Sequence, residues 1–287
     1  MTLTQKRQFK KLSVSVVKNV LLILMGFVMI YPLIWLFFAS FKTNAELFGS
    51  INLFPQEFIW TSYRDGWNLR GHFNYGQFFA NTFMLVIPTV VFTIMSSTFT
   101  AYGFARFNFP GRNLLFSLMI GTLMLPNAVM ILPRFILFQR LGWINSYRPF
   151  IIPALFATSA FFVFLMIQFF RGLPRALDEA ATIDGCGSFG VFIRIILPLS
   201  KPAIFSVAIF QFLWTWNDFF NALIYINSTS RFPISLALRL SLDTTAAAIA
   251  WNQVLAMAVL SIIPPTMVFF FAQKYFVEGI VTSGIKM

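Results

Sequence analysis

Two stretches of this chain carry the residue types that do chemistry. The first reads Arg171-Gly-Leu-Pro-Arg-Ala-Leu-Asp-Glu-Ala-Ala-Thr-Ile-Asp-Gly-Cys-Gly-Ser-Phe-Gly-Val-Phe-Ile-Arg-Ile-Ile-Leu-Pro198. Pro174 can open a short helix that carries Asp178 and Glu179, the glycines at 185, 187 and 190 permit a sharp turn, and a second apolar helix ends near Pro198. Its apolar residues Leu177, Ala181, Ile193, Ile196 and Leu197 are suited to anchoring such a helix-turn-helix at a membrane surface or to entering a groove on a partner. The second stretch is Trp214-Thr-Trp-Asn-Asp-Phe-Phe-Asn221. Asp218 is the only acid in any predicted membrane span, where an ionised group costs roughly 2.5 kcal/mol or more unless it meets a cavity or a partner. It should face inward, either lining a polar pathway or capping a helix. Trp214, Asn217 and Asn221 are residue types that stack on and hydrogen-bond to sugar rings, and equally types found in interfacial belts.

Other chemistries are excluded by count. One histidine, His72, and one cysteine, Cys186, leave no metal cluster and no internal disulfide. Gly185-Cys-Gly187-Ser-Phe-Gly190 has the form G-x-G-x-x-G, but a dinucleotide site needs a buried strand before it and an acid about twenty residues on. No Gly-Lys-Ser/Thr occurs, so the P-loop of an ATPase is absent and this chain is expected to bind no nucleotide or other cofactor.

The elements that must position these residues are apolar. Of 287 residues 58% are hydrophobic and 10% charged, against about a quarter charged in soluble domains, which makes this an all-α integral membrane protein. Apolar windows give about six spans, at residues 19–39, 78–104, 114–133, 149–170, 202–226 and 252–273. The net charge of +12 suits nucleic acid in a soluble protein, but here its placement points to membrane topology. With residue 1 inside, the inner segments hold 13 Lys and Arg and the outer segments 8. The positive-inside rule therefore puts both termini in the cytoplasm. The first apolar run is too long for a cleavable signal peptide, and Phe38-Ala-Ser-Phe41 is a poor cleavage site, so an uncleaved helix is expected.

On this topology residues 40–77 form an outer loop rich in Trp60, Tyr63, Trp67 and Tyr75, suited either to a small folded cap or docking face or to an interfacial belt. Residues 227–251 form a second outer loop that either re-enters the membrane or meets an external partner. Residues 171–200 lie inside, as does the tail at 274–287. The third span is interrupted by Pro126 and Pro133, with Asn127 between them. The freed backbone groups need partners inside the protein, which fits a packed interior, a water-lined path or a plain kink.

The cytoplasmic segment resembles the EAA motif of binding-protein-dependent ABC importer permeases. Glu179-Ala180-Ala181 stands four residues before Gly185, and after nine more residues comes Ile195-Ile196-Leu197-Pro198. The likeness extends along the chain and is closest to the carbohydrate branch, of the type of the shorter maltose-transporter permease. It includes Ser40-Phe41-Lys42 through Glu46, Ala101-Tyr102-Gly103-Phe104-Ala105-Arg106, Phe109-Pro110-Gly111-Arg112, Leu141-Gly142, Trp216-Asn217-Asp218-Phe219 and Gln273-Lys274-Tyr275-Phe276.

The resemblance implies a MetI-like transmembrane domain in a bacterial or archaeal cell membrane. It implies pairing with a second permease subunit, an ABC ATPase dimer that holds ATP and magnesium, and an external solute-binding protein, with a carbohydrate as substrate. Glu179 would meet a base of the ATPase, Ala180 and Ala181 would allow close approach, Gly185 would make the turn, and Asp184, Leu197 and Pro198 complete the coupling set. Asn127, Trp214, Asn217, Asp218 and Asn221 are the pathway candidates. Catalysis is not expected of this chain. The alternative reading is a secondary transporter or channel for a small polar solute, which would need an intramembrane acid such as Asp218 for ion coupling.

Overall fold

The computed structural model describes the backbone of residues 3–68, 73–242 and 249–284 and the side chains of 14–68, 73–242 and 249–273. His72 and the tail side chains from residue 274 onward lie outside the described residues. All regular elements among those described are helical, and up to six spans are long and apolar enough to cross a membrane, two of them bent. The chain divides into two compact units, Met1–Arg70 with Ser241–Leu260 and Gly71–Leu240 with Ser261–Met287.

The first unit holds α1 (Leu3–Ala39), α2 (Asn44–Gly49) and α3 (Thr61–Trp67). From Val14 onward α1 has exposed apolar side chains on all sides, as a lipid-facing helix should. The segment that follows packs its aromatic residues against one another. Phe41, 2% exposed, sits against Phe58, Trp60 and Tyr63 with ring centroids 5.5, 4.8 and 5.2 Å away. Lys42 is buried and donates to the Asn52 carbonyl. Ser40 Oγ and the Tyr63 hydroxyl are 2.7 Å apart; burial raises the Tyr63 phenol above its ordinary value and this hydrogen bond lowers it by less.

The second unit is organised by α4 (Tyr75–Arg106), which packs against α7 (Arg148–Leu155), α8 (Ala160–Gly172) and α12 (Lys201–Trp216). Its buried face carries Thr82, Thr89, Thr93, Ser97 and Thr98, small residues that let neighbouring helices approach closely. Thr82, Thr89 and Thr98 donate to the carbonyls four residues back at 2.7, 2.7 and 2.6 Å, so these three buried hydroxyls are satisfied within the helix.

Between α4 and α7 the third span is broken. α5 (Arg112–Leu123) and α6 (Asn127–Arg140) meet at 104°. Only Pro126 interrupts; Pro133 stays inside α6. Pro126 removes a donor and holds Leu125 away from helical geometry just after Gly121 has weakened the last turn of α5. Pro133 lies within a helix-favouring apolar run and sacrifices only one bond.

Downstream come α9 (Ala176–Ile183), α10 (Ser188–Val191), a π-turn at Phe192–Ile196 and α11 (Leu197–Leu199), before a 74° bend at Ser200 into α12. The π-turn has a local cause: the ring of Pro198 crowds the carbonyl four residues back, and Leu197 N–H bonds instead to Phe192 five residues back. The fifth span is shorter than the expected 202–226. α12 stops at Trp216, and α13 (Phe219–Tyr225) restarts after Asn217-Asp218. The expected loop at 227–251 contains α14 (Ile234–Leu242), whose Ile234, Leu236 and Ala237 are buried in the chain's own core. The last element is α15 (Trp251–Gly284).

The Thr82 hydroxyl also accepts from Ile234 N–H at 2.8 Å, fully buried. Thr82→Val keeps the shape and strands that donor, at a cost of about 2 kcal/mol. Thermal unfolding in detergent should show a lowered midpoint for this variant, and an unchanged midpoint would mean that Ile234 finds another acceptor.

Candidate functional site

The α9–turn–α10 segment is built as its sequence suggests and tethered in a way the sequence did not reveal. Arg175 precedes α9, Asp178 and Glu179 lie in its first turn where the helix dipole favours acids, and Gly185 closes it. Of the three glycines in the turn, only Gly185 has a positive φ, +82°, with nothing within 4 Å of where a Cβ would stand. Cys186 N–H returns to the Ala181 carbonyl at 2.9 Å and Gly185 N–H to that of Thr182 at 3.0 Å. These bonds satisfy the carbonyls left open at the helix end.

Glu179, Ala180 and Asp184 are exposed, while Ala181 is 4% exposed and faces inward. Leu197 is half-buried and Pro198 exposed. The two alanines thus do different jobs. Ala181 packs in a core cluster with Tyr102, Phe170, Val191, Phe192 and Ile196, and only Ala180 is available to a partner. Ile196 is likewise internal, so two of the five apolar residues assigned to anchoring or docking belong to the chain's own core. In their place the structure exposes Ile183, at 87%, and Phe189, at 64%. Ile183 thus stands bare at the end of a short helix, beside the exposed Glu179 and Ala180.

Three bonds tie the segment to the C-terminal end of α4. Arg106 Nε lies 2.9 Å from Asp178 Oδ2, the side chains being 7% and 22% exposed. Arg106 Nη2 donates to the Leu173 carbonyl at 3.2 Å, and the Tyr102 hydroxyl to the Ser188 carbonyl at 2.9 Å. Neither Tyr102 nor Arg106 was assigned a role from sequence. The available signal was their spacing of four, which puts two polar tips on one face at the end of a membrane helix.

The pathway candidates fall into two groups. Asp218 is the N-cap of α13: its Oδ1 accepts from Asn221 N–H at 3.1 Å, and both oxygens accept from Asn221 Nδ2, at 3.0 and 2.9 Å. Asn217 donates to the Leu213 carbonyl at 2.9 Å, closing α12. Trp214 stands half-exposed among Phe161, Phe162 and Phe210, with centroids 5.3, 5.0 and 6.2 Å away. Asn127 stands apart in the first turn of α6, accepting from Arg134 at 3.0 Å.

A cap of this kind tolerates asparagine and not alanine. Asp218→Asn should change the unfolding midpoint by no more than a degree or two, and Asp218→Ala should cost about 1 kcal/mol. Equal midpoints for the two variants would show that the cap contributes nothing.

Residues 78–281 match the family described as binding-protein-dependent transport system inner membrane component. Over 269 residues the chain is 34% identical to the arabinooligosaccharides transport system permease protein AraQ of Halalkalibacterium halodurans, covering 91% of this chain and 92% of that protein. It is 32% identical over 269 residues to the sn-glycerol-3-phosphate transport system permease protein UgpE of Yersinia pestis, covering 92% and 95%. In fold it matches a chain of a bacterial ABC transporter involved in the import of the acidic polysaccharide alginate, with a TM-score of 0.80 at 22% identity over 96% of this chain and 99% of that one.

Proposed function

The chain belongs to the binding-protein-dependent transport system inner membrane components, and we propose that it is one of two permease subunits of an ATP-driven importer of a sugar or oligosaccharide. The observation that carries this reading is the exposed α9 tip with Glu179, Ala180, Ile183 and Asp184, followed by the left-handed turn at Gly185 and backed by its own core. A surface that presents acid, small side chain and bare apolar tip together suits insertion into a groove of a cytoplasmic ATPase subunit. ATP and magnesium would be held there, and hydrolysis would occur in that partner.

On this reading both termini and residues 171–200 are cytoplasmic, the loops at 40–77 and 227–251 are external, and a solute-binding protein delivers substrate to the outer face. Closure of the ATPase dimer would move α9 and swing the permease pair between inward-facing and outward-facing states. The substrate class is supported by the arabino-oligosaccharide relative, and Trp214, Asn217, Asp218, Asn221 and Asn127 remain the candidates to line the path. Ion-coupled transport has less support, because Asp218 already spends both oxygens on its cap.

The test is purification in mild detergent through an N-terminal tag, with mass spectrometry of what co-elutes. A second permease, an ATPase and a solute-binding protein are expected; the chain alone in several detergents would overturn the reading. Gly185→Asp then probes the docking face. Aspartate tolerates positive φ better than most residues and meets no atom within 4 Å here, so the variant should insert and fold. Uptake should nevertheless fall to background because a new charge enters the contact, and normal uptake would remove α9 from the coupling role.

A further inference from the structure

The geometry points to Arg106 and Tyr102 as positioning residues that pass movement of the α9–α10 segment into α4, and along α4 to residues 230–237 at its other end. This rests on the reading of α9 as the ATPase contact.

The inner joint holds both sides of the exposed turn. Arg106 grips the approach to α9 at Leu173 and its first turn at Asp178, and Tyr102 grips the start of α10 at Ser188. The Arg106–Asp178 pair is largely removed from solvent, and separating a desolvated pair strands two charges, so the joint resists displacement in either direction.

The outer joint is as dense. The Tyr75 hydroxyl donates to the Ala237 carbonyl at 3.2 Å, and Gln77 Nε2 to that of Ser230 at 3.0 Å. Asn81 Nδ2 donates to Ser230 and Phe232 at 2.8 and 3.1 Å, and Ile234 N–H to Thr82 Oγ1 at 2.8 Å.

Between the joints runs one helix of 32 residues, about 48 Å long at 1.5 Å per residue, unbroken through Pro88 and packed by α7, α8 and α12. The route along the chain from α10 to residue 230 is softer. It passes the π-turn, the 74° bend at Ser200 and the interruption at Asn217-Asp218, each of which can absorb a displacement.

The experiment uses the complete purified transporter in lipid nanodiscs, with Cys186→Ser and Ser230→Cys in this chain. Labelling of the new thiol by a membrane-impermeant maleimide is timed without nucleotide and after trapping with ATP and vanadate. Trapping should change the labelling rate at least about threefold in this parent. In Arg106→Gln the change should vanish while ATP hydrolysis and co-purification of the ATPase persist. Tyr102→Phe, which removes one oxygen and keeps the ring, should at least halve it, and the exchanged pair Arg106→Asp with Asp178→Arg should recover most of it.

A full nucleotide-dependent change in Arg106→Gln overturns the inference; if that variant fails to assemble, a full change in Tyr102→Phe does so. A labelling rate indifferent to nucleotide in the parent overturns it too, while leaving the ATPase assignment standing. Absence of any ATPase from the purified complex overturns the functional reading and this inference with it.

Discussion

A backbone N–H or C=O in hydrocarbon has no water to turn to, so every departure from helical pairing in this chain must be met by another part of the chain. Three of the departures have an identifiable local cause. Pro126 opens the 104° break, Pro198 produces the π-turn ahead of the bend at Ser200, and Asp218 restarts a helix by accepting the N–H that α13 would otherwise leave open. The same constraint governs side chains. The Thr82, Thr89 and Thr98 hydroxyls return to carbonyls of α4 itself, the Ser96 hydroxyl donates to the Ala154 carbonyl of α7 at 2.6 Å, and the Ser200 hydroxyl, fully buried, donates to Ile196 at 2.7 Å.

That economy makes α4 the axis of the second unit. With Thr89 and Thr98 bonded within the helix, three helices pack along its buried face, and residues at its two ends hold other segments by hydrogen bonds. The helix therefore joins the α9–α10 segment and the 230–237 segment more directly than the intervening chain does. It also backs α9, since Ala181 packs into the cluster that includes Tyr102 and Phe170.

The division of labour within Glu179-Ala180-Ala181 follows from helix geometry. Three successive residues of a helix point about 100° apart, so they cannot all serve one neighbour. Here the inward position is Ala181, packed against Tyr102 of α4, Phe170 and Phe192, and the outward positions are Glu179 and Ala180. Ile183, exposed at the last turn, adds bare apolar surface beside them.

What the sequence determined by itself is whatever depends on local runs and local spacing. Apolar windows of sufficient length located the spans, and low charge excluded a large soluble surface. Glu179 to Pro198, at fixed spacing, identified both the short helix with its turn and the family. Asp218 was legible as a residue that must face inward because its cost is intrinsic.

The tertiary structure decided whatever depends on residues far apart in the chain. It made Pro126 a break and Pro133 not, turned Asp218 to a cap, put Ala181 inside and Ile183 outside, and brought Arg106 to Asp178 and Asn81 to Ser230. Periodicity states which residues share a face of one helix. Which other helix that face meets is set by packing and by the need to pair each buried polar group, and both are properties of the assembled fold.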